Sequence, residues 1–310
     1  MDGFLHNKTA SLNKEMRRMK ISLGPIHYYW SKENIEQFYR RAEHWPVDIV
    51  YLGETVCAKR RALRSADWLD IAARLTDAGK EVVLSTLALL EANSDLLQLE
   101  RICANAHYLV EANDMSAVHL LAGRGLFVIG PHINCYNAET LSLLADLGAR
   151  RWVPPVELSA TTIAMLQNTR PEAMETEAFA YGYLPLSFSA RCFTARADNV
   201  GKDACELRCI SDPEGRALFT QEHERLFTIN GIQLQSGIPC NLLNETVAMS
   251  EMGIDIVRIS PQLTATESVI RAFHAALNGE SSSPVEYDSP ACNGYWHGKP
   301  GMQFSPVQGD

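Results

Sequence analysis

A chain of 310 residues, 46% of them apolar, is long enough for one large domain or two small ones and apolar enough to bury a core. A formal net charge of −9 argues against a nucleic-acid surface as the main business of the molecule, and no apolar run reaches the length of a membrane span. The opening residues MDGFLHNKTASLNKEMRR lack the apolar core of a signal peptide, so a cytoplasmic protein is expected, with its 8 cysteines reduced or metal-bound rather than bridged.

Residues 1–18 are polar and aperiodic and are expected to be a disordered extension. From Met19 onward short β-rich runs alternate with helical patterns. The predicted strands are Lys20–Leu23, Asp48–Leu52, Glu81–Leu84, Tyr108–Glu111, Leu126–Ile129, Arg151–Val153, Thr176–Ala180, Leu226–Ile229 and Asp255–Ile259. Between them fall predicted helices at Asn34–Glu43, Trp68–Ala78, Ser94–Ala106, Met115–Ala122, Ala138–Gly148, Thr161–Asn168, Asn241–Met252 and Thr264–Leu277. Asn34, Ser94, Asn137 and Thr264 sit near helix starts as capping residues do, and Gly79, Gly148 and Gly253 follow helices. Strands alternating with helices imply a parallel sheet, and eight or nine repeats favour a closed, TIM-barrel-like (β/α) barrel over residues 19–280. The tail, residues 281–310, is rich in Ser, Pro and Gly but holds Tyr295 and Trp296, so part of it is expected to pack on the barrel.

In such barrels the chemistry sits at the C-terminal ends of the strands. There the sequence places His27, Tyr28 and Tyr29 after the first strand, and Glu54, Cys57, Lys59, Arg60 and Arg61 after the second. Glu111, Asn113 and Asp114 end the fourth, His132, Asn134 and Cys135 follow the fifth, and Glu157 follows the sixth. Glu157, His27 and Asn134 are the candidate catalytic residues. Asn113 and Asn137 are equally the residue type that caps helices, and His132 reads as readily as a satisfied loop histidine. No H-E-x-x-H and no G-x-S-x-G is present.

The densest feature follows the seventh strand. Cys192, Cys205 and Cys209 are separated by twelve and then three residues, on a loop bearing Gly182, Pro185 and Gly201. A zinc site favours a second cysteine pair, which is incomplete here; disulfides need an oxidising compartment; an iron–sulfur cluster needs four thiolates. Ordinary buried thiols remain a further reading.

The pieces FAYG (Phe179 to Gly182), SARC (Ser189 to Cys192) and KDACELRC (Lys202 to Cys209) resemble the signature of the collagenase-like peptidase family, family thirty-two of the peptidases of unknown type. PVELS, around Glu157, resembles a further family element. The departures are informative. Tyr181 stands where the family has His, Ala190 where it has Gly, and Pro185 near the place of a cysteine in the peptidase-named branch. RISP, Arg258 to Pro261, replaces a basic motif of that branch. Together with Cys57 in YLGETVCAKRR this combination resembles the branch that serves oxygen-independent ubiquinone synthesis, over roughly Met19 to Gly301. The resemblance implies the barrel fold and a [4Fe-4S] cluster. It also implies a heterodimer with a sister protein, O2-independent ring hydroxylation with prephenate as oxygen source, and a lipid-carrying partner for the greasy substrate.

A four-thiolate cluster needs one cysteine beyond the three on the loop. Cys103 lies in a helical run and Cys292 in the tail; Cys135 and Cys240 follow strand-like runs and compete with Cys57. Cys57 alone stands beside three cations, Lys59, Arg60 and Arg61, which are expected to lower its pKa toward the thiolate, and it matches the branch pattern. Those cations read equally as a solvated turn or an anion-recruiting patch. The expected ligand set is Cys57, Cys192, Cys205 and Cys209.

Overall fold

The computed structural model describes residues 18–280 and 290–306; the predicted N-terminal extension lies, but for Arg18, outside the described residues. In chain order the first half runs β1 (Lys20–Leu23), α1 (Lys32–Ala42), β2 (Ile49–Leu52), α2 (Ser65–Asp77), β3 (Glu81–Ser85), α3 (Asn93–Cys103), β4 (Leu109–Ala112) and α4 (Met115–Leu121). It continues through β5 (Phe127–Ile129), α5 (Ala138–Asp146), β6 (Ala149–Trp152), α6 (Ala160–Gln167) and a long β7 (Glu175–Phe188). An insertion then holds α7 (Phe193–Ala197), two 3-10 turns, β8 (Arg216–Phe219), β9 (Arg225–Asn230) and β10 (Gln233–Asn241). The chain returns to the repeat with α8 (Thr246–Met252), β11 (Ile256–Ile259) and α9 (Thr266–Leu277).

Strands β1 to β7 pair in parallel in sequence order, and β11 pairs in parallel with both β7 and β1, closing an eight-stranded barrel. The fold is therefore the TIM-barrel-like α/β fold expected. The predicted strand at Leu226–Ile229 exists as β9, but it belongs to the insertion: it runs antiparallel between β8 and β10, outside the barrel. The barrel's eighth strand is β11. The far half of β7 leaves the barrel and pairs antiparallel with β10, with a register shift where Gln235 faces Pro185. Proline cannot donate to a ladder, so a bulge is where it is tolerated. The helix expected from Asn241 begins later. Asn241 ends β10, and its side-chain oxygen takes the Leu243 N–H at 3.0 Å to start a short turn before α8.

Asn137 caps α5, its Oδ1 accepting from Thr140 N at 2.8 Å. Ahead of α1 the cap is Ser31, whose Oγ receives Asn34 N at 3.2 Å, so Asn34 is the capped residue and not the cap. Asp114, not Asn113, caps α4.

Two apolar layers fill the space between the helices and the outer faces of the strands. The barrel interior is also packed: Ile49, Tyr51, Val83, Val128, Val153 and Ile256 form one cluster inside it. The remaining interior is ionic. Arg258 Nη1 and Nε donate to Glu111 and Glu177, both at 2.7 Å, and its guanidinium lies 4.1 Å over the Tyr51 ring. Glu177 also accepts from Ser22 Oγ and Tyr51 OH, each at 2.5 Å, and Arg151 bridges Tyr51 OH to Glu175 and Glu81. Burial opposes ionisation of Glu177, but the guanidiniums of Arg258 and Arg151 outweigh it and hold the carboxyl below its usual range.

The described part of the tail lies against the barrel. Cys292 is fully buried and pairs with Cys240 through a single backbone β-bridge, and the Trp296 carbonyl accepts from Ala160 N at 2.9 Å. Among the described residues no helix is long and apolar enough to cross a membrane.

Candidate metal centre at the mouth of the barrel

Two loops at the C-terminal ends of the strands bring the cysteines together. The first leaves β2 at Gly53, whose φ of +128° and close approach to the Ser85 carbonyl admit no side chain. Glu54 then folds the loop by accepting Val56 N at 2.8 Å and Cys57 N at 3.1 Å, and Arg60 N closes a turn on the Cys57 carbonyl at 2.9 Å.

The second loop leaves the end of β7. Cys192 caps α7, its sulfur facing Ala195 N at 3.5 Å. The turn between β9 and β10 holds this helix in place: Gly231 O accepts Phe193 N at 2.8 Å, and Ile232 O accepts Ser189 N at 2.9 Å. Cys205 and Cys209 follow on successive 3-10 turns, joined by Glu206 and Leu207 at φ of +48° and +55°. Two adjacent non-glycine residues in the left-handed region are a strained linkage, and such strain concentrates at functional sites.

The loops are tied to one another. Lys59 Nζ, from the first, donates to Lys202 O at 3.0 Å and to Asp203 Oδ1 at 2.9 Å, in the second. Val56, Cys192, Ala195 and Ile232 form a buried cluster, with Cys57, Cys205 and Phe188 packed against it. Cys209 lies near enough to Cys192 for the two to interact electrostatically, and it sits beside the Arg60 guanidinium. Cys57, Cys192, Cys205 and Cys209 thus share one neighbourhood.

The other four cysteines are elsewhere. Cys103 and Cys135 pack in the apolar layer around α3 to α6, and burial pushes each thiol up to about 11. Cys240 and Cys292 face each other on the outer side of the barrel wall, where Cys292 N donates to Pro239 O at 2.9 Å. All eight cysteines are free thiols.

The expected effect of the basic turn on Cys57 is corrected. Burial raises the Cys57 thiol above its ordinary value; the Lys59 backbone N–H and the Arg60 charge oppose this without overcoming it. The three cations diverge: Lys59 is engaged with Asp203, Arg61 is exposed, and only Arg60 turns inward. A metal that binds here must therefore displace protons, which ties its affinity to pH.

Among the described residues, no three His, Cys, Asp or Glu side chains converge tightly enough to hold a single metal ion. A [4Fe-4S] cluster takes each thiolate on a different iron, so it asks for four thiols around a shared space rather than at one point. Four free thiols on two tied loops, with an apolar wall and a buried cation, suit that donor set.

Beneath the loops lies the C-terminal end of the barrel interior. The His132 ring meets Phe188 edge-on at 4.8 Å, which links the fifth-strand loop to the cysteine cluster. His27 is buried, and burial, then His132, Arg258 and Arg60, lower its pKa to about 3; burial and then Arg258 lower that of His132 to about 4. Both imidazoles are neutral at pH 7. His27 Nδ1 and Arg258 Nη2 are buried with no protein partner. The insertion covers this end: Trp30 Nε1 donates to Pro213 O at 2.6 Å, and Tyr28 OH to Gln235 Oε1 at 3.2 Å.

The other sequence candidates fall further out. Glu157 is exposed and accepts from Tyr136 OH, and Asn134 is exposed on the fifth-strand loop. Asn113 bonds Thr86 O and Glu111, with its Oδ1 lying where a Cβ on Gly130 would stand. Sequence reasoning passed over Arg258, Glu177 and Phe188. The available signal for the first two was a charge inside a run otherwise apolar enough to be a buried strand.

A barrel carrying a cysteine-bearing insertion after its seventh strand is the class of protein these features define. Over residues 33–287 the chain matches Peptidase family U32, and it belongs to that family. Among solved structures it is similar to the U32 peptidase Mk0906, at 11% identity and a TM-score of 0.44, covering 84% of this chain and 98% of that one. It is also similar to the dihydrodipicolinate synthase of Aquifex aeolicus, at 9% identity and TM-score 0.35, over 84% of this chain and 76% of the other. The dihydropteroate synthase of Burkholderia cenocepacia matches at 12% identity and TM-score 0.36, over 84% and 92%.

Proposed function

We propose that this chain is a [4Fe-4S] protein of oxygen-independent ubiquinone biosynthesis, of the kind its sequence resembles in UbiV, working with the sister protein UbiU. The observation that carries the reading is the meeting of four thiols from two loops, Cys57 with Cys192, Cys205 and Cys209, in a chain whose motif departures match that branch. Cys57 replaces a cysteine lost near Pro185, and both positions lie at the same end of the barrel.

Bound there, such a cluster supplies single electrons. The chain's own residues supply the rest of the setting. Arg258 Nη2 can donate to an oxygen of a bound molecule, and His27 offers it a second polar edge. His27 and His132 can take up a proton, each reluctantly because burial depresses its pKa. The covering insertion limits entry of water. The substrate on this reading is the polyprenylated precursor ring, brought by a lipid carrier, with prephenate as the oxygen donor. Hydroxylation of RNA bases, the runner-up within the family, sits poorly with a net charge of −9.

Anaerobically purified protein is expected to be brown, to hold about four iron and four labile sulfide per chain, and to bleach in air. Equimolar zinc without labile sulfide would overturn the reading. Co-expressed with UbiU, the chain is expected to elute with it as one heterodimeric peak on size exclusion; separate elution at micromolar concentration would count against the partnership.

A further inference from the structure

Three consecutive cations stand beside Cys57, and the structure separates them. Lys59 is more than a third exposed and paired with Asp203, and Arg61 is exposed. The Arg60 side chain is 1% exposed. Its Nη1 donates to His27 O at 2.6 Å and its Nη2 to Asn230 Oδ1 at 2.7 Å, and its guanidinium lies 5.8 Å over the Tyr29 ring. Its Nε is buried without a hydrogen-bond partner. A charged donor left unmade in a protein interior is costly, and the thiols near enough to interact with this buried guanidinium are those of Cys209 and Cys57, Cys209 the more strongly.

The scaffold around Arg60 is specific to it. Gly231, at φ of +65°, lies so close that a Cβ there would stand 2.7 Å from Arg60 Nη2. The same glycine's carbonyl receives the N–H of Phe193 beside Cys192, so one turn fixes both the guanidinium and the start of the cysteine helix. Glu54, the nearest carboxylate at 3.9 Å, is occupied by the backbone of Val56 and Cys57.

We propose that Arg60 is a positioning residue that raises the reduction potential of the cluster by donating a guanidinium hydrogen bond to the Cys209 sulfur. The proposal rests on the cluster reading above and deepens it. Reduction adds a negative charge to the cluster, and a buried cation bonded to a ligating sulfur favours the reduced form more than the oxidised one. Water screens Lys59 and Arg61 and does not screen Arg60.

The test is a redox titration, followed by electron paramagnetic resonance, of anaerobically purified protein whose iron and sulfide content is measured first. Arg60→Gln is expected to shift the oxidised-to-reduced ratio about tenfold toward the oxidised form, a fall of about 59 mV for a one-electron couple. Arg60→Lys, which keeps the charge but loses the planar fork, is expected to fall by less, and Arg61→Gln to match the unsubstituted protein. An unchanged potential in loaded Arg60→Gln overturns the proposal. If that variant does not load, Arg60→Lys decides in the same way: a lowered potential supports it and an unchanged one overturns it. Absence of iron and sulfide from the unsubstituted protein is a different outcome, which sinks the cluster reading and this inference with it.

Discussion

Cys57→Ala is expected to lose bound iron as severely as Cys205→Ala does, while Cys135→Ala and Cys240→Ala stay near the starting level. The reason is placement. Cys57 and Cys205 pack on the same buried cluster as Cys192, on loops joined through Lys59 and Asp203. Cys135 is sealed in the helix layer, and Cys240 faces Cys292. Iron and labile sulfide per chain, measured on anaerobic preparations of the four variants, decide the matter. If Cys57→Ala keeps its full iron and Cys240→Ala loses it, the ligand assignment is wrong and the site is built wholly from the C-terminal half of the chain.

Arg258→Met is expected to cost about 3–5 kcal/mol of stability, the usual penalty for removing one member of a buried ion network. Two carboxylates, Glu111 and Glu177, are each fully buried and each bonded to this one guanidinium at 2.7 Å. The methionine fills the space but leaves Glu111 without its guanidinium and Glu177 with Arg151 alone, at 3.7 Å. Urea denaturation reads the loss directly, and adding Glu111→Gln and Glu177→Gln to the variant should recover much of it. A loss below about 1 kcal/mol, the range of an exposed pair, would mean that water reaches the barrel interior. The pH dependence has a definite sign. The folded pKa of Glu177 is depressed, so its contribution is present in full above the ordinary carboxyl range and is lost as pH falls through the folded value.

The repeat is legible in the sequence because most barrel strands are short, largely apolar runs between helical patterns, and burial on both faces leaves little room for alternation. β10 is hidden for the opposite reason. Its sequence, QLQSGIPCN, is polar and carries a proline, yet Gln233, Gln235 and Ser236 are buried because they bond to Asn230, Tyr28 and the backbone of β7 rather than to water. The cysteine loop is legible as a cluster of three thiols. Cys57, the proposed fourth thiol, is legible only in part: the neighbouring cations suggest a thiolate, whereas the fold turns two of them away and half-buries the residue. The charges within strands, at Arg151, Glu177 and Arg258, have partners that become visible only when closure places them opposite one another.

The order of synthesis gives the last barrel strand a particular weight. Strand β11 is made after nearly all the rest, yet it pairs with β1 at the other end of the chain, Lys20 meeting Ile256 and Leu23 meeting Ile259. Until it emerges from the ribosome, β1 and β7 are both open edges, and Glu111 and Glu177 await the only guanidinium that bonds them both among the described residues. A nascent chain stopped short of Ile256 therefore presents unpaired strand edges together with interior carboxylates that lack their Arg258 partner, a combination that favours aggregation. Emergence of β11, rather than growth of the first seven repeats, is therefore the step that can close the sheet.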